Sequence, residues 1–198
     1  MDQSHNSILV FAGSARADSF NKRLARLAAD RAREAGGMAT FADLRDYPMP
    51  LYDGDLEREQ GVPEHARRLK ALLADHTGLV VVSPEYNGFI TPLLKNTLDW
   101  LSRPDDDREG LALFRNRVAC VLSASPGGFG GMRSLALARQ LLTNLGVTVL
   151  PDQLAVPRAA QAFTDAGDLA DQGTRERLDQ ICHRLVETLN RLNPRAGR

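Results

Sequence analysis

Five short apolar runs recur along the chain, and the segments between them carry the spacing of amphipathic helices. The runs are Ser7 to Ala12, Met38 to Ala42, Leu79 to Val82, Arg117 to Leu122 and Val147 to Leu150. Three of them are apolar almost throughout, which suits strands covered on both faces. After the first run, Phe20, Leu24, Leu27 and Ala28 fall at helical spacing, and Gly36-Gly37 is a stop. Val62, Ala66, Leu69 and Leu73 mark a second helix, with Pro63 near its first turn. Leu94, Thr97, Leu98 and Leu101 mark a third, and Leu135, Ala138, Leu141, Leu142 and Leu145 a fourth that Gly146 ends. Leu178, Ile181, Leu185, Leu189 and Leu192 mark a fifth. Strand and helix alternate five times, which predicts a parallel sheet with helices on both faces.

Five strands favour a flavodoxin-like three-layer sandwich in strand order 2-1-3-4-5 over the six-stranded dinucleotide fold. At 198 residues one domain spanning 1–198 is expected, with 193–198 as a frayed tail. The 25 Lys and Arg residues balance 25 Asp and Glu, so no general binder of nucleic acid or anionic membrane is expected. The polar opening, Met1 to Asn6, is unlike a secretory signal, and the apolar runs are too short to span a bilayer. A cytoplasmic protein follows, with Cys120 and Cys182 as reduced thiols that act as small buried hydrophobes.

In such sheets ligands bind beyond the carboxyl ends of the strands. The first loop there reads Gly13-Ser14-Ala15-Arg16-Ala17-Asp18-Ser19-Phe20-Asn21. It leaves a strand and opens a helix, whose free N–H groups suit a phosphate. Ser14, Ser19 and Asn21 supply short donors, and Arg16 a charged fork. Capping alone needs a single residue, Ser19 or Asp18. The loop lacks the lysine and hydroxyl of a magnesium-nucleotide loop and the spacing of a dinucleotide fingerprint. A metal-free site for a terminal phosphate remains. The third loop, Ser83-Pro84-Glu85-Tyr86-Asn87-Gly88-Phe89, offers aromatic faces, an amide and close backbone approach, which a planar heterocycle requires. The fourth, Ser123-Ala124-Ser125-Pro126-Gly127-Gly128-Phe129-Gly130-Gly131, exposes N–H groups that can lie against a flat ring. The four histidines, His5, His65, His76 and His183, are scattered without metal-ligand spacing, and Asp105-Asp106-Asp107 reads as a solvated loop.

Four motifs together resemble the NADPH-dependent FMN reductase family. They are Gly13-Ser14-x-Arg16-x-x-Ser19-x-Asn21-x-x-Leu24-Ala25, Pro84-Glu85-Tyr86-Asn87-Gly88, Leu94-Lys95-Asn96-x-Leu98-Asp99-Trp100 and Ser125-x-Gly127-x-x-Gly130-Gly131. The stretch from Asp43 to Asp53 is similar to that family's loop after strand two. The resemblance implies tightly bound FMN, with NAD(P)H as electron donor. It implies cofactor contacts from Ser14, Arg16, Ser19, Phe20 and Asn21, from Pro84, Glu85, Tyr86, Asn87 and Gly88, and from Ser125 and Gly127. Ala15 departs from the family, which more often has a larger apolar residue there. A homodimer or homotetramer is implied, with residues near Lys95 to Trp100 facing the partner copy.

The expected activity passes hydride from NAD(P)H through FMN to a small acceptor, such as a quinone, azo compound, metal oxyanion or free flavin. No catalytic side chain and no metal are assigned, because the cofactor carries the chemistry. Two other readings are weighed. A flavodoxin-type electron carrier would usually have a threonine-rich phosphate loop, which is absent here. A phosphate-signalling domain would need an aspartate ending strand three, where Ser83-Pro84 stands.

Overall fold

The computed structural model describes residues 6–105 and 109–192. Asp106, Asp107, His5 and the tail from 193 onward lie outside the described residues. Five strands form one sheet: β1 (Ser7–Ala12), β2 (Met38–Ala42), β3 (Gly78–Val82), β6 (Val118–Ala124) and β7 (Thr148–Val156). Their order is β2-β1-β3-β6-β7, and every neighbouring pair is parallel. This is the expected 2-1-3-4-5 order. The numbers skip because a two-stranded hairpin, β4 (Glu85–Tyr86) and β5 (Phe89–Ile90), interrupts the third loop.

Alternation along each strand builds two cores. Ile8, Val10, Val80, Val82, Cys120 and Leu122 point to the face that α1 (Phe20–Glu34) and α6 (Gln172–Leu192) cover. Leu9, Phe11, Leu79, Val81, Ala119 and Val121 point the other way, onto α3 (Glu64–Ala74), α4 (Pro92–Leu101) and α5 (Met132–Asn144). Ala12, Val82 and Leu122 stand side by side in register, so β1 and β3 end at one level and β6 runs on to Ala124. That shared rim holds the loops of interest. Among the described residues no helix is long and apolar enough to cross a membrane.

Two elements depart from expectation. The last strand does not stop at Leu150 but continues through a bulge to Val156. Pro151 looks like a terminator, yet β7 is an edge strand, where a missing N–H costs little. A short helix, α2 (Gly54–Gln60), has no buried residue and so no apolar period to betray it. One apolar contact, Leu56 against the cluster of Val62, Ala66 and Trp100, and several polar ones hold it. The Asp53 side chain caps it, and Arg103 binds Glu57 at 2.8 Å, which keeps that carboxyl below its ordinary range.

The loop after β2 is fastened to α4. Both the Asn96 amide and the Trp100 indole N–H donate to the Pro50 carbonyl, each at 2.8 Å. The Tyr52 N–H donates back to Asn96 Oδ1, and the Tyr52 ring meets Trp100 edge-on with centroids 5.1 Å apart. Trp100 is fully buried within the chain. On the outer side of the helix Lys95 and Asp99 pair with each other at 2.7 Å.

Two outcomes follow from this packing. Trp100→Ala should cost about 3–5 kcal/mol, read as a lower urea midpoint at unchanged slope. A loss under about 1 kcal/mol would refute the fastening. Cys120 and Cys182 are buried, and burial pushes Cys182 up to about 12 and Cys120 well above its ordinary range. Unfolded thiols ionise near pH 8.5, so this contribution to stability is whole below about pH 8.5 and falls as pH rises through the native values. A disulfide reagent at pH 8 should label neither thiol in native protein and both in denaturant. Fast labelling of folded protein would contradict the burial.

Candidate active site

The first rim loop is built around a close approach at Gly13. Its N–H donates to the Val82 carbonyl at 2.9 Å, and its own carbonyl accepts from the Thr91 hydroxyl at 2.7 Å. A Cβ here would stand 2.8 Å from Leu94 Cβ and 2.9 Å from Thr91 Oγ1. Glycine is therefore required by space. Thr91 is buried and also caps α4, accepting from the Leu94 N–H at 3.2 Å. The sequence reading passed over Thr91, although Thr before Pro92 is a helix-start signal.

Beyond Gly13, Ser14 is buried, and its Oγ accepts from the Arg16 N–H at 3.3 Å. Ser19 is buried as the N-cap of α1, accepting from the Lys22 N–H at 3.4 Å. Both hydroxyls thus accept one bond and keep a proton to donate. Among the described residues no protein acceptor takes the N–H of Phe20 or Asn21, or the exposed guanidinium of Arg16. Two expected contacts read differently. The Asn21 amide is consumed by strand β6: it donates to the Ala124 carbonyl at 2.7 Å and accepts from the Ala124 N–H at 2.9 Å. Its side chain ties two rim loops together, and its backbone N–H is what remains for a ligand. The Phe20 ring stacks on Phe163 at 6.4 Å, which likewise leaves only its N–H.

The third loop is a β-hairpin. Tyr86 pairs with Phe89, and the turn residues Asn87 and Gly88 have φ of +53° and +80°. Asn-Gly with both φ positive is the favoured two-residue hairpin turn. The sequence carries that signal at Asn87-Gly88. A Cβ on Gly88 would find only the Arg133 guanidinium, at 3.8 Å, so its requirement is conformational, not steric. The Glu85 carboxylate reaches to the start of α5, accepting from the Arg133 N–H at 3.0 Å. Pro84 lies within van der Waals reach of a Gly13 Cβ, at 3.4 Å, which brings the two loops together. Tyr86 is left half exposed on the rim.

In the fourth loop the glycines divide. Gly130 and Gly131 have positive φ, and a Cβ would collide with the Val156–Pro157 backbone at the first and with the Ser123 hydroxyl at the second. A Cβ on Gly128 would meet nothing within 4 Å, and one on Gly127 would lie 3.6 Å from Ser125 Oγ. The Gly127 N–H is taken by Ser125 Oγ at 3.2 Å, whereas the N–H groups of Gly128 and Phe129 meet no protein acceptor among the described residues. The Ser123 hydroxyl is buried without a partner.

The rim therefore carries unspent donors in two groups. Phe20 and Asn21 N–H, the Ser14 and Ser19 hydroxyls and Arg16 suit an oxyanion. Gly128 and Phe129 N–H, beside exposed Tyr86 and Phe129 rings, suit a flat ring with carbonyl acceptors. These groups fit a flavin mononucleotide. By contrast, a cleft of about 500 Å³ between α1 and α6 is lined by charges already paired, Arg31 with Glu34 and Asp179 among them.

The sequence profile described as NADPH-dependent FMN reductase matches residues 6–161. The chain belongs to the NADPH-dependent FMN reductase family. It is 32% identical over 177 residues to a quinone reductase of Escherichia coli (strain K12), covering 86% of this chain and 88% of that one. It is equally identical over 179 residues to an NADPH:quinone oxidoreductase of Arabidopsis thaliana, covering 88% and 87%. In structure it is similar to FerB, a flavoenzyme NAD(P)H:(acceptor) oxidoreductase from Paracoccus denitrificans, with TM-score 0.79, 24% identity and coverage of 94% and 98%. The protein is thus an oxidoreductase that uses FMN and NAD(P)H, and the carrier reading gives way to an enzyme. Gly88→Ala should strain the turn by about 1–2 kcal/mol, seen in the melting temperature, while FMN titration stays near wild type. Lost FMN binding in a fully folded variant would make Gly88 part of the ligand wall after all.

Proposed function

We propose that the rim binds FMN with its phosphate at the start of α1 and its ring between the hairpin and the glycine loop. Arg16, the Ser14 and Ser19 hydroxyls, and the Phe20 and Asn21 N–H groups hold the phosphate. Pro84, Tyr86, Asn87, Ser125 and Gly127 shape the ring seat, while Glu85 and Gly88 hold the loops in place. Bound FMN supplies two-electron hydride chemistry between NAD(P)H and a small acceptor, by ping-pong exchange at one open face. Quinones are the favoured acceptors, and azo compounds, metal oxyanions and free flavin are further members of the class. The Gly128 and Phe129 N–H groups sit where they can stabilise negative charge that builds on the ring. The chain acts as one domain in the cytoplasm, as a homodimer or homotetramer, and exposed Leu51, Phe89, Phe129 and Met132 near the rim loops support association.

The observation that carries this reading is that, among the described residues, the Phe20 and Asn21 N–H groups and the Arg16 guanidinium meet no protein acceptor. Purified protein should show flavin absorbance that bleaches with NAD(P)H under argon and returns with quinone. Initial rates against both substrates should give parallel reciprocal plots. Colourless protein that takes up no added FMN would end the proposal. Arg16→Ala should weaken FMN binding about 10–150-fold, the worth of a charged hydrogen bond. An unchanged dissociation constant would remove Arg16 from the phosphate site.

A further inference from the structure

One ion pair joins the two loops on either side of the proposed ring seat. The Glu85 side chain, on the hairpin, is only 8% exposed. Its Oε2 accepts from the backbone N–H groups of Arg133 and Ser134 at 3.0 and 3.4 Å. Its Oε1 accepts from Arg133 Nε at 2.7 Å and pairs with Nη2. The N-cap of α5 is Gly131, which has no side chain to cap the helix, so the carboxylate arriving from the hairpin fills that place. The Arg133 side chain is 65% exposed. Its guanidinium lies beside Gly88 of the turn and 5.9 Å from the centre of the Phe129 ring. It therefore spans from the hairpin to the glycine loop along the rim.

Geometry alone makes this a brace. Its charges do more. A carboxylate next to a ring seat opposes the negative charge that reduction brings to the ring. Two positive groups face that carboxylate, the Arg133 guanidinium and the start of α5 with its partial positive charge. We infer that Arg133, held by Glu85, is a positioning residue that sets the reduction potential of the bound flavin by balancing the Glu85 charge. This rests on the ring lying between the two loops, as proposed above.

The pair can be split so that a brace and a charge balance give different results. Glu85→Gln keeps the shape and an oxygen that accepts from both N–H groups, but leaves Arg133 as an unbalanced cation. Arg133→Gln leaves Glu85 as an unbalanced anion. The midpoint potential of bound FMN is read by anaerobic spectroelectrochemical titration at low salt. Glu85→Gln should favour the reduced form and Arg133→Gln the oxidised form, each by about tenfold. For a two-electron couple that is about 30 mV, in opposite directions. The double variant restores neutrality and should lie near wild type. Arg133→Lys keeps the charge but loses the fork, so it too should stay near the wild-type potential while binding FMN less tightly.

A loosened brace would move both single variants the same way. Shifts of the same sign, or no shift in variants that retain FMN, would overturn the inference. If one single variant does not fold, the other together with the double variant still decides it. A wild-type protein that binds no FMN would instead overturn the cofactor placement itself.

Discussion

A parallel sheet brings the carboxyl ends of its strands to one rim, and each helix that follows starts there with N–H groups its own turns cannot satisfy. How each is satisfied differs. Thr91 caps α4, Asp171 accepts from the Thr174 N–H at the start of α6, and Glu85 reaches across from the hairpin to α5. At α1, Ser19 takes the Lys22 N–H, and among the described residues no protein acceptor takes the N–H of Phe20 or Asn21 or the guanidinium of Arg16. The loop that leads into this helix start also carries Arg16, whose side chain is exposed. An anion there completes the bonding instead of competing with it.

The rest of the rim exists to keep that opening in place. Gly13 allows β1 and α4 to touch, Asn21 ties the start of α1 to β6, and Glu85 ties the hairpin to α5. None of these ties runs through a mobile surface side chain alone, since each has a backbone group or a buried atom at one end. Positioning of this kind is what a cofactor enzyme needs from its protein, because the reacting atoms belong to the cofactor and only their placement and charge are adjustable.

Most of the fold was legible in the sequence because its signals are periodic. Strands buried on both faces read as apolar runs, and helices read as stripes at 3.6-residue spacing. What escaped had no such period. The α2 segment has no fully buried residue, and β7 hides behind Pro151, which an edge position tolerates. At the site, the phosphate loop was legible because its donors are contiguous in the chain. The roles of Glu85, Asn21 and Thr91 were not, since each is fixed by a partner 48, 103 or 78 residues away. Asn87-Gly88 is a different case. Its turn signal is local and present in the sequence, and a turn conformation does not decide whether these residues also touch a ligand.

The phosphate placement carries everything above, and riboflavin isolates it, since it is FMN without that group. Calorimetric titration of apoprotein with FMN and with riboflavin measures what the start of α1 contributes. Two charge-assisted hydrogen bonds are worth at least about 3 kcal/mol, so FMN should bind more than about a hundredfold tighter. Equal affinity for the two ligands would show that the open end of α1 holds nothing.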